Sequence, residues 1–456
     1  MARDISNAAP ISSLDSLIAH HRDGCKPEGA FRIGTEHEKF AFFRDGHRPV
    51  PYDGDASISA LLNGMKARLG WEPILDEGRI IGLTGPQGMG AISLEPGGQF
   101  ELSGAPVSNL HETCKEAGHH LSILRGIAEP LGIRFLGAGS SPKWHLDDTP
   151  AMPKSRYEIM RRYMPKIGSR GLDMMYRTCT IQVNLDYSSE ADMCRKMQVS
   201  MKLQPLATAI FAASPFTEGR PNNFLSWRSD VWRDTDNARA GILPFVFNED
   251  FGFVDYVKWA LDVPMYFVIR DGKYRDCTHI TFRQFLDGAL KGEIDDWQPN
   301  MGDWTNHLST LFPEVRLKSY LEMRGADGGP LLRICALPAF WVGLLYDNEA
   351  LQAAQELTAD WTYEEVLALR NEVPTHALNA SFRGEKLLHV AEEVMDLVRL
   401  GLKNRDRRNS DGYDERIFLA PIEDMLARGT TLAEDMLNHY RSRSGSIDSI
   451  FEQYQC

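Results

Sequence analysis

Residues 31–43, FRIGTEHEKFAFF, constrain the fold more than any other stretch of the chain. Residues two apart on a β-strand share a face, so Glu36 and Glu38 point one way and His37 and Lys39 the other. Ile33 precedes the acids and Phe40-Ala41-Phe42-Phe43 follows them, a flank that suits a strand buried on both faces. Neighbouring carboxylates repel each other, and burying them unpaired is costly. Such a strand is either the solvated outer face of a sheet edge or part of a site that supplies positive charge.

Three further segments pose the same choice. In SLEPGGQFELS (93–103) the Pro-Gly-Gly turn joins two short strands, which puts Glu95 and Glu101 on neighbouring arms of a hairpin. A surface hairpin with one exposed acid per arm would read identically. In TCTIQVNLD (178–186) every even position is polar, so one face packs on a core while Thr178, Thr180, Gln182, Asn184 and Asp186 occupy the other. That face is either exposed or a binding surface of neutral hydrogen-bonding groups. From 316 to 327, alternation predicts one strand with Lys318, Tyr320, Glu322 and Arg324 on a common face. Glu322 beside Arg324 is either a plain ion pair or a metal ligand next to a phosphate clamp.

If these polar faces converge, five carboxylates meet, and a divalent cation is needed to hold them together. Oxygen-only donors suit Mg²⁺ or Mn²⁺, and the histidines have no zinc-ligand spacing. GLTGPQGMG (82–90) lacks the Gly-Lys-Ser/Thr ending of a Walker loop and reads as a hairpin loop. Arg220, Arg228 and Trp232 stand in a loop-rich stretch where they either clamp a small carboxylate or cap neighbouring helices.

Strand-like pieces concentrate before residue 330 and helical periodicity dominates after it, which predicts an α+β fold. We expect a sheet body over 1–330 and a helical region over 331–456 packed on the same body. Of the 456 residues 43% are hydrophobic and 25% charged, enough for a large core and not a disordered composition. Fifty basic against 63 acidic residues leave a net charge of −13, which argues against nucleic acid and anionic membrane as partners. The longest uncharged apolar run, 334–346, is broken by Pro338 and is shorter than the ~20 residues of a membrane span. The N-terminus, MARDISNAAPISSLDSLIAHH, reads as neither a signal nor a transit peptide. Seven scattered cysteines without CxxC fit a reducing compartment, and a cytoplasmic location is expected.

Taken together, GTEHEKF, SLEPGGQFELSG, GLDMMYRTCTIQVNLDY, SPFTEGRPN and FPEVRLKSYLEMRGADGGP resemble plant-type glutamate–cysteine ligase, a family of plants and proteobacteria. The resemblance runs from about residue 14 to the C-terminus. It implies a curved, mainly antiparallel sheet of about six strands cupped by helices, the glutamine synthetase/guanido kinase-like catalytic fold. It also implies ATP-dependent joining of the glutamate γ-carboxylate to the cysteine amine, the first step of glutathione biosynthesis. By this resemblance Glu36, Glu38, Glu95, Glu101, Glu322 and Gln182 match metal-binding positions for two or three Mg²⁺ ions, with Mn²⁺ as a substitute. Arg324 would contact the transferring phosphoryl group, with Glu322 and Glu38 beside it. Arg220 and Arg228 would take substrate carboxylates, while Thr178, Thr180, Asn184 and Trp232 line the amino-acid sites and Met174 and Met175 wall the thiol. Plant members carry regulatory disulfides; Cys114 and Cys335 match one pair, while Cys277 has Gly292 at its partner position. L-glutamate, L-cysteine and ATP are the implied partners of a monomer or weak homodimer. A different amine acceptor, another thiol pathway or a non-catalytic paralogue are the alternatives.

Overall fold

The computed structural model describes residues 7–456; residues 1–6, part of the stretch read above for targeting signals, lie outside the described residues. The central strand is β1 (Ile33–Phe43), and six more follow in the first half of the chain: β2 (Glu72–Asp76), β3 (Arg79–Thr84), β4 (Ala91–Leu94), β5 (Phe100–Ser103), β6 (Ile133–Leu136) and β7 (Ile181–Leu185). With two later strands, Val315–Leu317 and Leu321–Met323, they form one nine-stranded sheet. Its order is 315–317, 321–323, β7, β1, β5, β4, β3, β2, with β6 paired to the far half of β1. Every pairing in it is antiparallel. The α+β architecture is as expected, with nine strands in place of about six because several are only three or four residues long.

One expected strand is a hairpin instead. Residues 316–327 do not run straight: Arg316 pairs with Glu322 and Leu317 with Leu321, and the Lys318 N–H donates to the Tyr320 carbonyl across the turn (2.8 Å). Cross-strand partners here differ by even numbers, so inward and outward positions keep the same parity through the turn. Alternation alone therefore cannot tell one long strand from two short ones. The strand expected over 177–187 is likewise shorter, because Thr178 and Thr180 sit in the approach to β7.

The apolar face of β7 and of the 315–323 hairpin (Ile181, Val183, Leu185, Val315, Leu317, Leu321, Met323) packs on helices Glu190–Ile210, Leu331–Leu345 and Leu387–Arg405 in a single core. The last two helices meet backbone to backbone: a Cβ on Gly401 would lie 1.8 Å from the Gly343 carbonyl oxygen. The C-terminal helices thus complete the sheet's core. A second core joins β1 and β3–β6 to helices Ile58–Leu69 and Leu110–Ala128. The latter helix starts at Asn109, whose side chain accepts from the Glu112 N–H, and buries Leu110, Thr113, Ala117, Leu121, Leu124 and Ala128 along one stripe. No helix among the described residues is long and apolar enough to cross a membrane.

Candidate active site

The other face of the sheet carries the chemistry. Glu36 and Glu38 leave β1 on one side, and Glu38 lies directly opposite Glu101 of β5. Glu95 follows β4 in the turn to β5. That turn closes through Glu95 N–H to Gln99 O (3.0 Å) and Gly98 N–H to Glu95 O (2.9 Å), with Gly98 at φ +83° where a side chain would be strained. Gln99 then fastens the turn: its amide donates to the carbonyls of Thr178 (2.9 Å) and Met175 (3.2 Å) and its oxygen accepts the Gly97 N–H (2.9 Å). Glu36, Glu38, Glu95 and Glu101 consequently line one cavity. Arg156, Arg228, Arg316 and Arg324 line it as well, as do Thr178, Thr180, Gln182, Trp232, Met174 and Met175.

The acids are held by specific donors. Glu36 accepts from the Asn184 amide (2.9 Å), and Glu38 from the Thr180 N–H (2.9 Å). Glu101 accepts from the hydroxyls of Ser93 and of Ser103 (2.7 Å to the latter). Burial, then the charges of Glu95 and Glu101, push the Glu38 carboxyl well above the ordinary range. Burial and Glu101 push Glu95 up as well. Glu38 and Glu95, forced toward their neutral form, are the carboxyls that a cation would discharge. Among the described residues no group of three or more His, Cys, Asp or Glu side chains is placed to hold a metal ion. Mg²⁺ needs fewer: it is commonly held by one or two carboxylates with water and substrate phosphate completing its shell. The oxygen donors Glu36, Glu38, Glu95 and Glu101 fit that requirement.

Glu322 does not. It is fully buried behind the cavity wall, and its carboxylate is enclosed by Arg316 (bidentate, 2.6 and 2.9 Å), Lys318 (2.5 Å) and Arg324. Burial alone would raise its pKa, but Arg316, then Lys318 and Arg324, hold it well below the usual carboxylate range. In this structure its carboxylate therefore serves as the counter-ion that fixes three positive side chains. Gln182, expected beside the metal, accepts from Arg324 (2.7 Å). Arg220 is also displaced from its expected role: it is exposed on a small hairpin, Phe216–Thr217 with Arg220–Pro221, and does not line the cavity. Asn184 acts one step back, through Glu36.

Sequence reasoning missed Gln99, Arg156, Tyr157, Ser309, Phe312 and Arg316, all of which line the cavity. Arg316 had a legible signal, since it continues the alternating polar row of Lys318, Tyr320, Glu322 and Arg324. Arg156 and Tyr157 come from helix Ser155–Ile167, whose local pattern does not show which end reaches the sheet. The Tyr157 hydroxyl anchors there by donating to Leu94 O (2.8 Å). Elsewhere, a disulfide joins Cys114 in helix Leu110–Ala128 to Cys335 in helix Leu331–Leu345, with a Cα–Cα distance of 5.4 Å.

The fold is that of a solved ligase. A glutamate–cysteine ligase from Francisella tularensis, determined in complex with AMP, superposes with a TM-score of 0.54 at 12% identity, covering 92% of this chain and 87% of that one. Chloroplastic glutamate–cysteine ligases are far closer in sequence: that of Arabidopsis thaliana is 56% identical over 443 residues, 96% of this chain and 82% of the relative. That of Nicotiana tabacum is 55% identical over 447 residues, 98% and 83% respectively. The chain belongs to glutamate-cysteine ligase family 2, whose profile matches residues 32–453. These relatives overturn the expected cytoplasmic location, since both are named chloroplastic and point to a plastid. Cysteine usage reports redox conditions, which do not single out one reducing compartment.

Proposed function

We infer that this chain is a glutamate–cysteine ligase, forming an amide between the γ-carboxylate of L-glutamate and the amine of L-cysteine in glutathione biosynthesis, with ATP as co-substrate. The observation that carries the reading is the cavity that four glutamates and four arginines line together.

The reaction runs in two displacements. The glutamate γ-carboxylate attacks the γ-phosphorus of ATP, ADP leaves, and γ-glutamyl phosphate forms. The neutral cysteine amine then attacks the acyl carbon, the C–O bond to phosphate breaks, and the amine proton is lost. Two or three Mg²⁺ ions held by Glu36, Glu38, Glu95 and Glu101, with Mn²⁺ able to replace them, would neutralise phosphate charge. Arg324, buried and fixed by Glu322 and Gln182, presents a planar guanidinium to the phosphoryl oxygens. Arg228 and Arg156 are the cavity's remaining grips for substrate anions, and Thr178, Thr180, Trp232, Met174 and Met175 shape the amino-acid sites. Arg316 and Lys318 act through Glu322, keeping it charged and Arg324 in place. We assign the working unit as a monomer or weak homodimer, which sedimentation at several concentrations would resolve.

The test is a coupled ADP-release assay with glutamate, cysteine and Mg²⁺ omitted in turn. ADP should accumulate only when all three are present. Turnover that persists without cysteine, or that runs faster with a thiol-free amine, would refute the reading.

A further inference from the structure

A buried carboxylate outside the cavity is tied to residues on two of its walls. Asp327, in the stretch that follows strand Leu321–Met323, is 1% exposed and has no cation within ion-pair distance among the described residues. Its carboxylate takes three hydrogen bonds instead. One oxygen accepts from the Ala213 N–H (2.8 Å) and the Ser214 hydroxyl (2.6 Å), the other from the Ser226 hydroxyl (2.9 Å). All three partners donate, so an Asn here would set its NH2 against one of them. The room comes from Gly139, where a Cβ would stand 2.4 Å from the Asp327 carboxyl carbon.

Both hydroxyls pass the contact on. Ser214 Oγ accepts the Arg228 N–H (3.1 Å), and Ser226 Oγ accepts the Ser229 N–H (3.3 Å) as the cap of the short helix Trp227–Val231. That helix brings Arg228 to the cavity, where it is 3% exposed and its guanidinium gives a hydrogen bond to the Arg324 carbonyl (3.0 Å). Arg228 has no carboxylate within ion-pair distance among the described residues. Asp327 and Arg228 are thus a buried anion and a buried cation, each without an opposite charge in contact, bridged by one hydroxyl. Burial pushes the Asp327 carboxyl up, and the charge of Arg228 is the largest influence holding it down. On its other side Asp327 bridges Thr180, whose hydroxyl donates to the Ala326 carbonyl (2.7 Å) and whose N–H donates to Glu38 (2.9 Å).

We propose that Asp327 is a positioning residue for the ligation, fixing Arg228 through Ser214 and Ser226 at a set distance from the wall that carries Glu38. The proposal rests on the ligase reading and concerns a residue that touches no substrate. Its physical logic lies in the separation. A carboxylate in direct contact with Arg228 would compete with a substrate anion for the guanidinium. Withdrawn behind a serine, the counter-charge still offsets part of the cost of burying Arg228 and leaves its donors free.

The test measures KM for glutamate, cysteine and ATP in the ADP-release assay for Arg228→Gln, Asp327→Asn and Ser214→Ala. Arg228→Gln identifies the substrate that the guanidinium serves. The other two should raise KM for that same substrate, by up to about tenfold, the scale of one charge-assisted hydrogen bond, with half-saturating Mg²⁺ unmoved. Combined with Arg228→Gln, either should add nothing to the loss in kcat/KM, because the group it positions is already gone. A merely structural carboxylate would lower Tm and the active fraction at unchanged KM, and its loss would add to that of Arg228→Gln. If Asp327→Asn does not fold, Ser214→Ala decides, since it cuts the bridge and leaves the other two bonds to Asp327 in place. Unchanged KM in Ser214→Ala overturns the proposal, as does an Arg228→Gln variant with no change in any KM. Additive losses in the double variants overturn it too, as does a shift in half-saturating Mg²⁺ without a shift in KM. Wild-type protein that releases no ADP with glutamate, cysteine and Mg²⁺ would instead defeat the ligase reading itself.

Discussion

Arg316, Lys318 and Arg324 are three buried cations around one carboxylate, Glu322. Removing a member of a buried ion cluster leaves uncompensated charge, which costs roughly 3–5 kcal/mol. Glu322→Gln keeps the shape and loses the charge, so its denaturant midpoint should fall sharply and turnover with it. A variant as stable as wild type but inactive would restore the metal-ligand role. Glu38 behaves in the opposite sense. Its carboxyl, raised above the usual 4.5 by burial and by Glu95 and Glu101, binds its proton more tightly folded than unfolded. It therefore favours the fold at low pH, and that contribution is lost as the pH climbs from the ordinary Glu value through the raised one. A cation binds the ionised form, so Mg²⁺ should raise Tm more at about pH 8 than at about pH 5, bracketing the carboxylate range. Glu38→Gln should flatten that difference, and an unchanged pH dependence in the variant would remove Glu38 from the donor set. At this scale the acids were legible because spacing of two on a strand dictates a common face. Glu322 and Arg220 were not, because alternation shows which way a side chain points and not which charges stand around it.

At the scale of elements, the glutamates are only as well placed as the turn between β4 and β5. Gly97 has no room for a side chain: a Cβ there would stand 2.4 Å from the Tyr176 carbonyl oxygen, a backbone atom that cannot swing aside. Gly97→Ala should therefore cost about 1–3 kcal/mol and shift the turn that carries Glu95. We expect a lower Tm and reduced kcat in ADP release; a variant matching wild type in both would show that the turn tolerates the displacement. The Pro-Gly-Gly signature made this turn readable in advance. The 315–323 hairpin was not readable, since its turn, Lys318-Ser319-Tyr320, contains neither glycine nor proline and preserves the alternation on both sides. What the turn lacks in local signal comes from tertiary contact: a Cβ on Gly24 would stand 2.7 Å from the Ser319 backbone, so a separate segment packs against it.

Across the whole molecule, a chain of net charge −13 still gathers Arg156, Arg228, Arg316 and Arg324 around one cavity, so global composition does not locate the site. The division into a strand-rich first part and a helical last part was visible from periodicity. The helical part was expected on the same body, but the particular contacts that join the two were not legible, such as the Arg370–Glu314 pair and the packing of helix Leu331–Leu345 on β7. The Cys114–Cys335 bridge spans the same boundary, tying residues 221 apart in sequence. A cross-link closing so long a loop restricts the unfolded chain strongly, and the chain-entropy estimate for loops above a hundred residues is about 5 kcal/mol as an upper bound. Reduction with dithiothreitol should thus lower the denaturant midpoint of the wild-type protein, and Cys335→Ser should lie at the reduced value under both conditions. The cavity draws its acids and its arginines from elements before residue 330, so reduction should leave ADP release at 25 °C largely intact while shortening survival on heating. Loss of activity on reduction at a temperature where the fold persists would place the bridge in control of the site instead of in support of the fold.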